Sequence, residues 1–245
     1  MYGMLIIARY PKRLGWAGLL SMALFRIPLG RQKNIRFWKL LGCGKNGSFD
    51  SAPDWRQWGI LVKMDQSWYE NSGTTPSGER KLLTGKILPG FVKAYYRFFR
   101  VETFALLLEP LEGHGTWDGH HCFGDLKSQQ ESAGRIAVLT RATIRLSKLT
   151  AFWKHVDKVS EALHNAPGLI ASVGIGEVPW VKQATFSIWE NVADMKAFAY
   201  SFQQHTEVIR KTRKENWYKE EMFVRFRILA TSGMLNGLSL SPGAS

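Results

Sequence analysis

Apolar residues in this chain fall into short blocks of two kinds, and the order of the blocks repeats. Some blocks are continuous or alternating runs of strand length; others space their apolar residues three and four apart, as an amphipathic helix does. In the first half the strand blocks Met4 to Ala8, Ile35 to Leu41, Gln57 to Lys63 and Thr103 to Glu109 enclose a helical candidate at Leu14 to Phe25 and a second helical stretch between Met64 and Arg100. In the second half Ile136 to Ile144, Leu169 to Val173, Gln183 to Trp189 and Met222 to Leu229 enclose helices at Leu149 to Leu163 and from Val192 to about Asn216. Both halves read β-α-β-β-α-β.

That order predicts an α+β protein of two ferredoxin-like repeats in one chain, each with helices over one sheet face and the other faces packed into an α+β barrel. The expected division is 1–111 for the first repeat, 112–134 for a connector rich in Gly, Ser, His and Gln, 135–230 for the second repeat, and 231–245 for a frayed tail. Gly42-Cys43-Gly44 and Gly174-Ile175-Gly176 each follow a strand and lead into a connection. Neither opens a helix or continues to a third glycine, so the dinucleotide fingerprint is not met.

The last helix carries the chemical argument. Phe198, Phe202, Val208 and Ile209 form its apolar stripe, and His205 falls three residues after Phe202 and four before Ile209, so it is expected to face inward. An inward histidine is either a hydrogen-bonded core residue or a metal ligand of the kind a haem iron needs on its proximal side. Spacing does not choose. The first half has no histidine between Met64 and Arg100, so one site per chain is expected.

Composition bounds the rest. The chain has 245 residues, 45% of them hydrophobic, enough for one large domain or two small ones. Thirty-three Lys and Arg against twenty Asp and Glu give +13, a field that attracts nucleic acid, acidic lipid or the propionates of a porphyrin. No RNA-binding aromatic signature accompanies the charge, so nucleic acid is not the expected partner. Two distant cysteines, Cys43 and Cys122, make no disulfide framework, and a reducing cytoplasm is the expected compartment. The apolar run Gly15 to Phe25 is too short to span a bilayer and is followed by Arg26, Pro28 and Arg31 rather than by a cleavage region. It reads as a core-facing helix, with an amphipathic membrane-surface helix as the alternative given its basic flanks.

Two further groups have competing readings. His114, Asp118, His120, His121 and Cys122 crowd into nine residues but match no structural zinc spacing, and a solvated loop is expected. Arg141, on one strand face with Thr143 and Arg145, needs either a buried ion pair or an anionic ligand. Strand Gln183 to Trp189 separates Thr185, Ser187 and Trp189 from Ala184, Phe186 and Ile188, and Ser187 can donate a hydrogen bond. The absence of G-x-S-x-G, Walker and H-E-x-x-H motifs argues against hydrolase and nucleotide-binding readings.

Several longer stretches resemble the spheroidene monooxygenase family of carotenoid ketolases: Leu139 to Arg145, Phe152-Trp153, Ala166 to Leu169, Gly174 to Trp180, Gln183 to Trp189, Met195 to Tyr200, His205, Phe223 and Arg225 to Arg227. The first half is looser, with Ile7 to Tyr10, Phe37 to Gly44 and Trp58 similar. The resemblance implies a dimeric-α+β-barrel-like fold that binds haem and uses O2 and reduced ferredoxin to oxidise C-2 of an acyclic carotenoid such as spheroidene. It makes His205 the iron ligand. The residues around His205 offer Phe202, Ile209, Arg213 and Trp217 as candidate haem contacts, the basic run Arg210 to Lys214 is either a solvated face or a partner for propionates or acidic lipid, and strand alternation alone offers Arg141, Ser187 and Trp189 as candidate catalytic residues. Such a substrate lives in the bilayer, so peripheral contact with the inner membrane is expected too. Other readings are another haem chemistry (dehydration, peroxidation or haem breakdown) and a non-enzymatic binder of haem or acidic lipid.

Overall fold

The computed structural model describes residues 1–45, 52–66, 87–127, 134–205, 216–234, 237 and 239–240, without the side chains of 155, 157, 158 and 201–205. Two compact units divide the chain: Met1–Cys43 with Asp54–Pro110 and Ile228–Pro242, and Gly44–Pro53 with Leu111–Arg227 and Gly243–Ser245.

The first unit contains β1 (Tyr2–Arg9), α1 (Gly15–Leu24), α2 (Arg26–Gly30), β2 (Ile35–Gly44), β3 (Pro53–Met64), α3 (Gly90–Phe98) and most of β4 (Glu102–Gly115). The second contains β5 (Ile136–Ile144), α4 (Leu149–His164), β6 (Leu169–Val178), β7 (Lys182–Trp189), α5 (Val192–His205) and most of β8 (Tyr218–Gly233). Strand order is β2-β3-β1-β4 in one and β6-β7-β5-β8 in the other. Both are the ferredoxin-like order, the first strand of each repeat pairing antiparallel with the third and fourth. The repeat read from the sequence is therefore present in both halves.

In the first unit the helix-facing side of the sheet is apolar throughout. Met4, Ile6 and Ala8 of β1, Ile60, Val62 and Met64 of β3 and Leu107 of β4 pack with Phe25, Leu29, Val92 and Tyr96 into one buried cluster. At the strand end Arg9 pairs in register with Gln57 and donates to its Oε1 at 3.0 Å.

The helical stretch 15–30 corrects the core-facing expectation. Its buried positions in α1 are the small residues Ala17, Gly18 and Ser21, whereas Trp16, Leu19, Leu20 and Ile27 are exposed. A Cβ on Gly18 would sit 2.2 Å from Trp58 Nε1. The helix thus lies on β3 at a distance that only small side chains allow, which turns its large ones outward.

Two other expectations move. The paired G-x-G stretches lie inside β2 and β6 rather than after them, and a Cβ on Gly176 would meet the Lys182 carbonyl oxygen at 2.8 Å, a close approach of neighbouring backbone. The last strand of the second half continues through Thr231 to Gly233, and Thr231 is buried with its hydroxyl donating to the Leu240 carbonyl. Cys43 and Cys122 are both buried, and neither is in a disulfide. Residues 67–86 of the expected first-half helical stretch and 206–216 of the last helix, apart from Asn216, lie outside the described residues.

Candidate functional site

The second unit uses its sheet differently. Ile136 and Val138 of β5 and Trp189 of β7 pack with Leu163 of α4 and Val192 of α5, with Met195, Phe198 and Phe223 alongside. Beyond Val138 the same face turns polar: Thr140 is exposed and lies opposite Thr185, while Val138 lies opposite Ser187 on one side and Arg225 on the other. By register, the positions filled by Ile6, Ile60, Val62 and Leu107 in the first unit carry Thr140, Thr185, Ser187 and Arg225 here.

Among the described residues those groups are not all satisfied. Trp189 Nε1 donates to Ser187 Oγ at 2.9 Å, leaving the serine proton to be donated elsewhere. Thr185 Oγ1 is buried without a hydrogen-bond partner. Such a group costs stability unless something bound there supplies a partner. Arg225 is buried against Glu112, its Nη2 lying 3.0 Å from the carboxylate.

The helix over this face starts from a well-fixed point. Asn191 Oδ1 accepts the Asp194 N–H at 2.8 Å, an N-terminal cap, and Asp194 sits favourably in the first turn. Gly168, at φ +75°, makes room for Asp194: a Cβ there would lie 2.2 Å from its carboxylate. Phe198 stacks obliquely on Trp189, ring centroids 5.4 Å apart. His205 closes the described helix. It lies seven residues beyond Phe198, two helical turns, so its position falls on the face that Met195 and Phe198 turn to the sheet.

Arg141 lies on the opposite side of the same sheet, in register with Ala184 rather than with Ser187 or Trp189. The three candidate catalytic residues are therefore not brought together. The Arg141 side chain is 1% exposed and meets three carboxylates: a close ion pair with Glu220, Asp118 at 3.5 Å and Glu177 at 3.9 Å. Trp117 lies under its guanidinium at 5.2 Å and donates its indole N–H to Glu177 at 2.7 Å. Lys182 reaches Asp118 at 2.6 Å. Of the two readings open for Arg141, the ion pair accounts for its burial without a ligand. Burial pushes the Glu220 carboxyl up, but the Gly119 N–H, the Thr116 hydroxyl and Arg141 outweigh it and hold it at about 2.

This network also revises the reading of the segment between the repeats. His120 and His121 are exposed, as a solvated loop requires, but His114, also exposed, lies within β4 and stacks on Phe223; Trp117, Cys122 and Phe123 are buried, and Asp118 belongs to the Arg141 cluster. Phe123 packs edge-on against Phe226, and Cys122 Sγ lies 3.4 Å from Met222 Sδ. Apolar side chains within a polar-looking stretch anchor it to β8. Among the described residues no group of three His, Cys, Asp or Glu is placed to hold a metal ion.

Of the remaining candidates, Trp217 is buried at the entry to β8, its carbonyl accepting the Arg145 N–H at 2.9 Å. Phe202 and His205 belong to α5 without described side chains, and Ile209 and Arg213 lie outside the described residues. Thr140, Thr185 and Arg225 are the polar positions the sequence reading passes over as site residues. The argument that singles out Arg141, an arginine in an apolar strand, applies equally to Arg225.

Two ferredoxin-like units, one with hydrocarbon beneath its helices and one that carries hydroxyls on that side, define an α+β protein whose candidate site, among the described residues, lies on the second sheet. No protein-family model matches the chain. Spheroidene monooxygenase of Rhodobacter capsulatus is 36% identical over 218 residues, covering 89% of this chain and 85% of that protein. The spheroidene monooxygenase of Rubrivivax gelatinosus is 33% identical over 206 residues, covering 84% and 73%. The chain belongs to the spheroidene monooxygenase family, and membership makes it an oxidoreductase. Among solved structures, an aldoxime dehydratase in complex with butyraldoxime superposes with a TM-score of 0.53 at 10% identity, covering 94% of this chain and 79% of the other, a likeness of fold alone.

Proposed function

We propose that the protein oxygenates an acyclic carotenoid of the spheroidene type at C-2, with haem held by His205 and electrons delivered by reduced ferredoxin. The observation that carries the reading is the identity of 36% across 85% of a relative named spheroidene monooxygenase. When bound, haem would supply the O2-dependent oxidising chemistry.

The donor chemistry fits that group. A free metal ion needs several protein ligands, whereas a porphyrin brings four nitrogens of its own and asks the chain for one axial side chain. A single imidazole position at His205, on the sheet-facing side of α5, meets that need. The unpartnered Thr185 hydroxyl and the free Ser187 proton give the same face polar atoms for a bound group, and Trp189, Phe198 and Phe223 give it apolar walls for a polyene. Phe202, Ile209, Arg213 and Trp217 remain the candidate haem contacts of this reading. The charge of +13 favours association with an acidic electron-transfer partner. Because the polyene resides in the bilayer, the reading includes peripheral contact with a membrane.

The test is spectroscopic first. Haem-supplemented protein should show a Soret band that is lost or shifted in His205→Ala while circular dichroism stays unchanged; identical spectra would remove His205 as ligand. Cells accumulating spheroidene and expressing the haem-loaded protein should form a red-shifted ketocarotenoid. No new pigment under an adequate ferredoxin supply would refute the substrate.

A further inference from the structure

We infer that α1, α2 and α3 form a face that docks on an anionic lipid bilayer. This deepens the membrane-contact part of the function proposed above, and its test needs neither haem nor polyene.

In the α1–α2 stretch Phe25 and Leu29 turn into the core, but Trp16, Leu19, Leu20 and Ile27 also recur at helical spacing, and the stripe they form points away from the protein. Trp16 is 58% exposed and Ile27 62%, with Leu19 and Leu20 between them. On α3, Phe98 is 78% exposed and Phe91 is also exposed. The two stripes are neighbours. Tyr95 of α3 donates its hydroxyl proton to the Ala17 carbonyl at 2.8 Å, Trp16 meets Phe99 edge-on at 5.7 Å, and Phe25 meets Phe91 at 6.3 Å. Large apolar side chains gathered on one surface, with the small residues of the same helix turned inward, are the reverse of an ordinary surface helix.

Charge selects the occupant. Residues 11–34 carry Lys12, Arg13, Arg26, Arg31 and Lys33 and no acidic residue; residues 87–101 carry Lys93, Arg97 and Arg100 and again none. An apolar stripe bearing an exposed tryptophan and set among cations suits the boundary between acyl chains and anionic head groups, where apolar burial and electrostatic attraction act together. A like copy of this surface would instead bring cation against cation. No helix among the described residues is long and apolar enough to cross a membrane, so the contact is with one leaflet.

The experiment is flotation of the full chain with vesicles rich in phosphatidylglycerol and, in parallel, with phosphatidylcholine vesicles. Binding to the anionic vesicles is expected, weakening as salt rises. Trp16→Ser and Phe98→Ser should each lower partition roughly tenfold, since each removes a large apolar side chain from the contact. Leu146→Ser, a control at an exposed position in the second unit, should leave partition unchanged. Equal partition of wild type and both variants would overturn the inference. So would absent vesicle binding combined with a dimer, measured by light scattering, that Trp16→Ser dissociates, because the face would then be a self-interface. Circular dichroism of the variants separates loss of binding from loss of fold, and a third exposed substitution, Ile27→Ser, repeats the test should either fail to fold. A carotenoid-negative result in cells leaves this outcome untouched.

Discussion

Replacing Glu220 by glutamine removes one charge from the Arg141 cluster while keeping the side chain's shape. The carboxylate accepts the Gly119 N–H and the Thr116 hydroxyl, each at 2.7 Å, and pairs with Arg141, whose side chain is 1% exposed. An amide oxygen can keep the first two contacts, but the amide cannot balance the guanidinium. Native contacts lower the carboxyl from 4.5 to about 2, which corresponds to an upper bound of roughly 3–4 kcal/mol of stability. Breaking a buried pair usually costs about 3–5 kcal/mol. Asp118 and Glu177 remain beside Arg141, and Glu220 is partly open to water, so the expected loss at neutral pH is about 2–3 kcal/mol. Because the native pKa is depressed, the contribution is complete above the unfolded value of 4.5 and disappears as pH falls through about 2. Urea denaturation followed by tryptophan fluorescence, for wild type and Glu220→Gln across that range, measures the difference directly. It should be constant above 4.5 and close steadily towards 2. A difference below about 0.5 kcal/mol at neutral pH, or one that does not narrow on acidification, would refute the assignment of Glu220 as the counter-charge of Arg141.

The remaining expectations concern backbone and pocket. Gly115 and Gly119 both have positive φ, but a Cβ on Gly115 would lie 2.2 Å from the Glu221 carbonyl oxygen while one on Gly119 meets nothing within 4 Å. Gly119→Ala should therefore cost about 1–2 kcal/mol for conformation alone, and Gly115→Ala clearly more, read as two unequal drops in Tm. Thr185→Val removes a buried hydroxyl that has no partner among the described residues, so the denaturation midpoint should hold or rise slightly; a loss above about 1 kcal/mol would mean that the hydroxyl is satisfied within the fold. In haem-supplemented protein the same change should shift the Soret band.

The architecture was legible because the hydrophobic blocks alternate in period and recur in order, and neither property depends on tertiary contacts. The second repeat also matches the family over long stretches. What sequence could not convey was direction. Trp16, Leu20 and Ile27 show helical spacing, yet that spacing looks the same whether the stripe faces core or solvent; Gly18 against Trp58 decides it, through a contact between residues far apart in the chain. Arg141 was recognisable as a costly residue, but its carboxylates come from three separate segments, at positions 118, 177 and 220, whose convergence no local pattern announces. Ser187 and Trp189 were correctly placed on one face, and only the pairing register separates them from Arg141. His205 was chosen by periodicity and by resemblance, and it stands at the end of the described course of α5, two helical turns beyond Phe198.

The pairing of Arg9 with Gln57 has a consequence for folding accuracy. All six residues of β1 between Tyr2 and Arg9 are buried, so both sides of this strand are hydrocarbon. In a strand with one wet side, a slip by one residue would drive polar groups inward and be rejected at once; here it would exchange one greasy side for another. Hydrophobicity holds β1 in the sheet but is nearly blind to its alignment. The polar contacts at the strand's end supply the missing reference mark, since a shifted β1 would carry the Arg9 guanidinium away from both Gln57 and Asp54 of β3. Their removal should show less in equilibrium stability than in refolding, as slow phases in which misaligned chains unpair and try again.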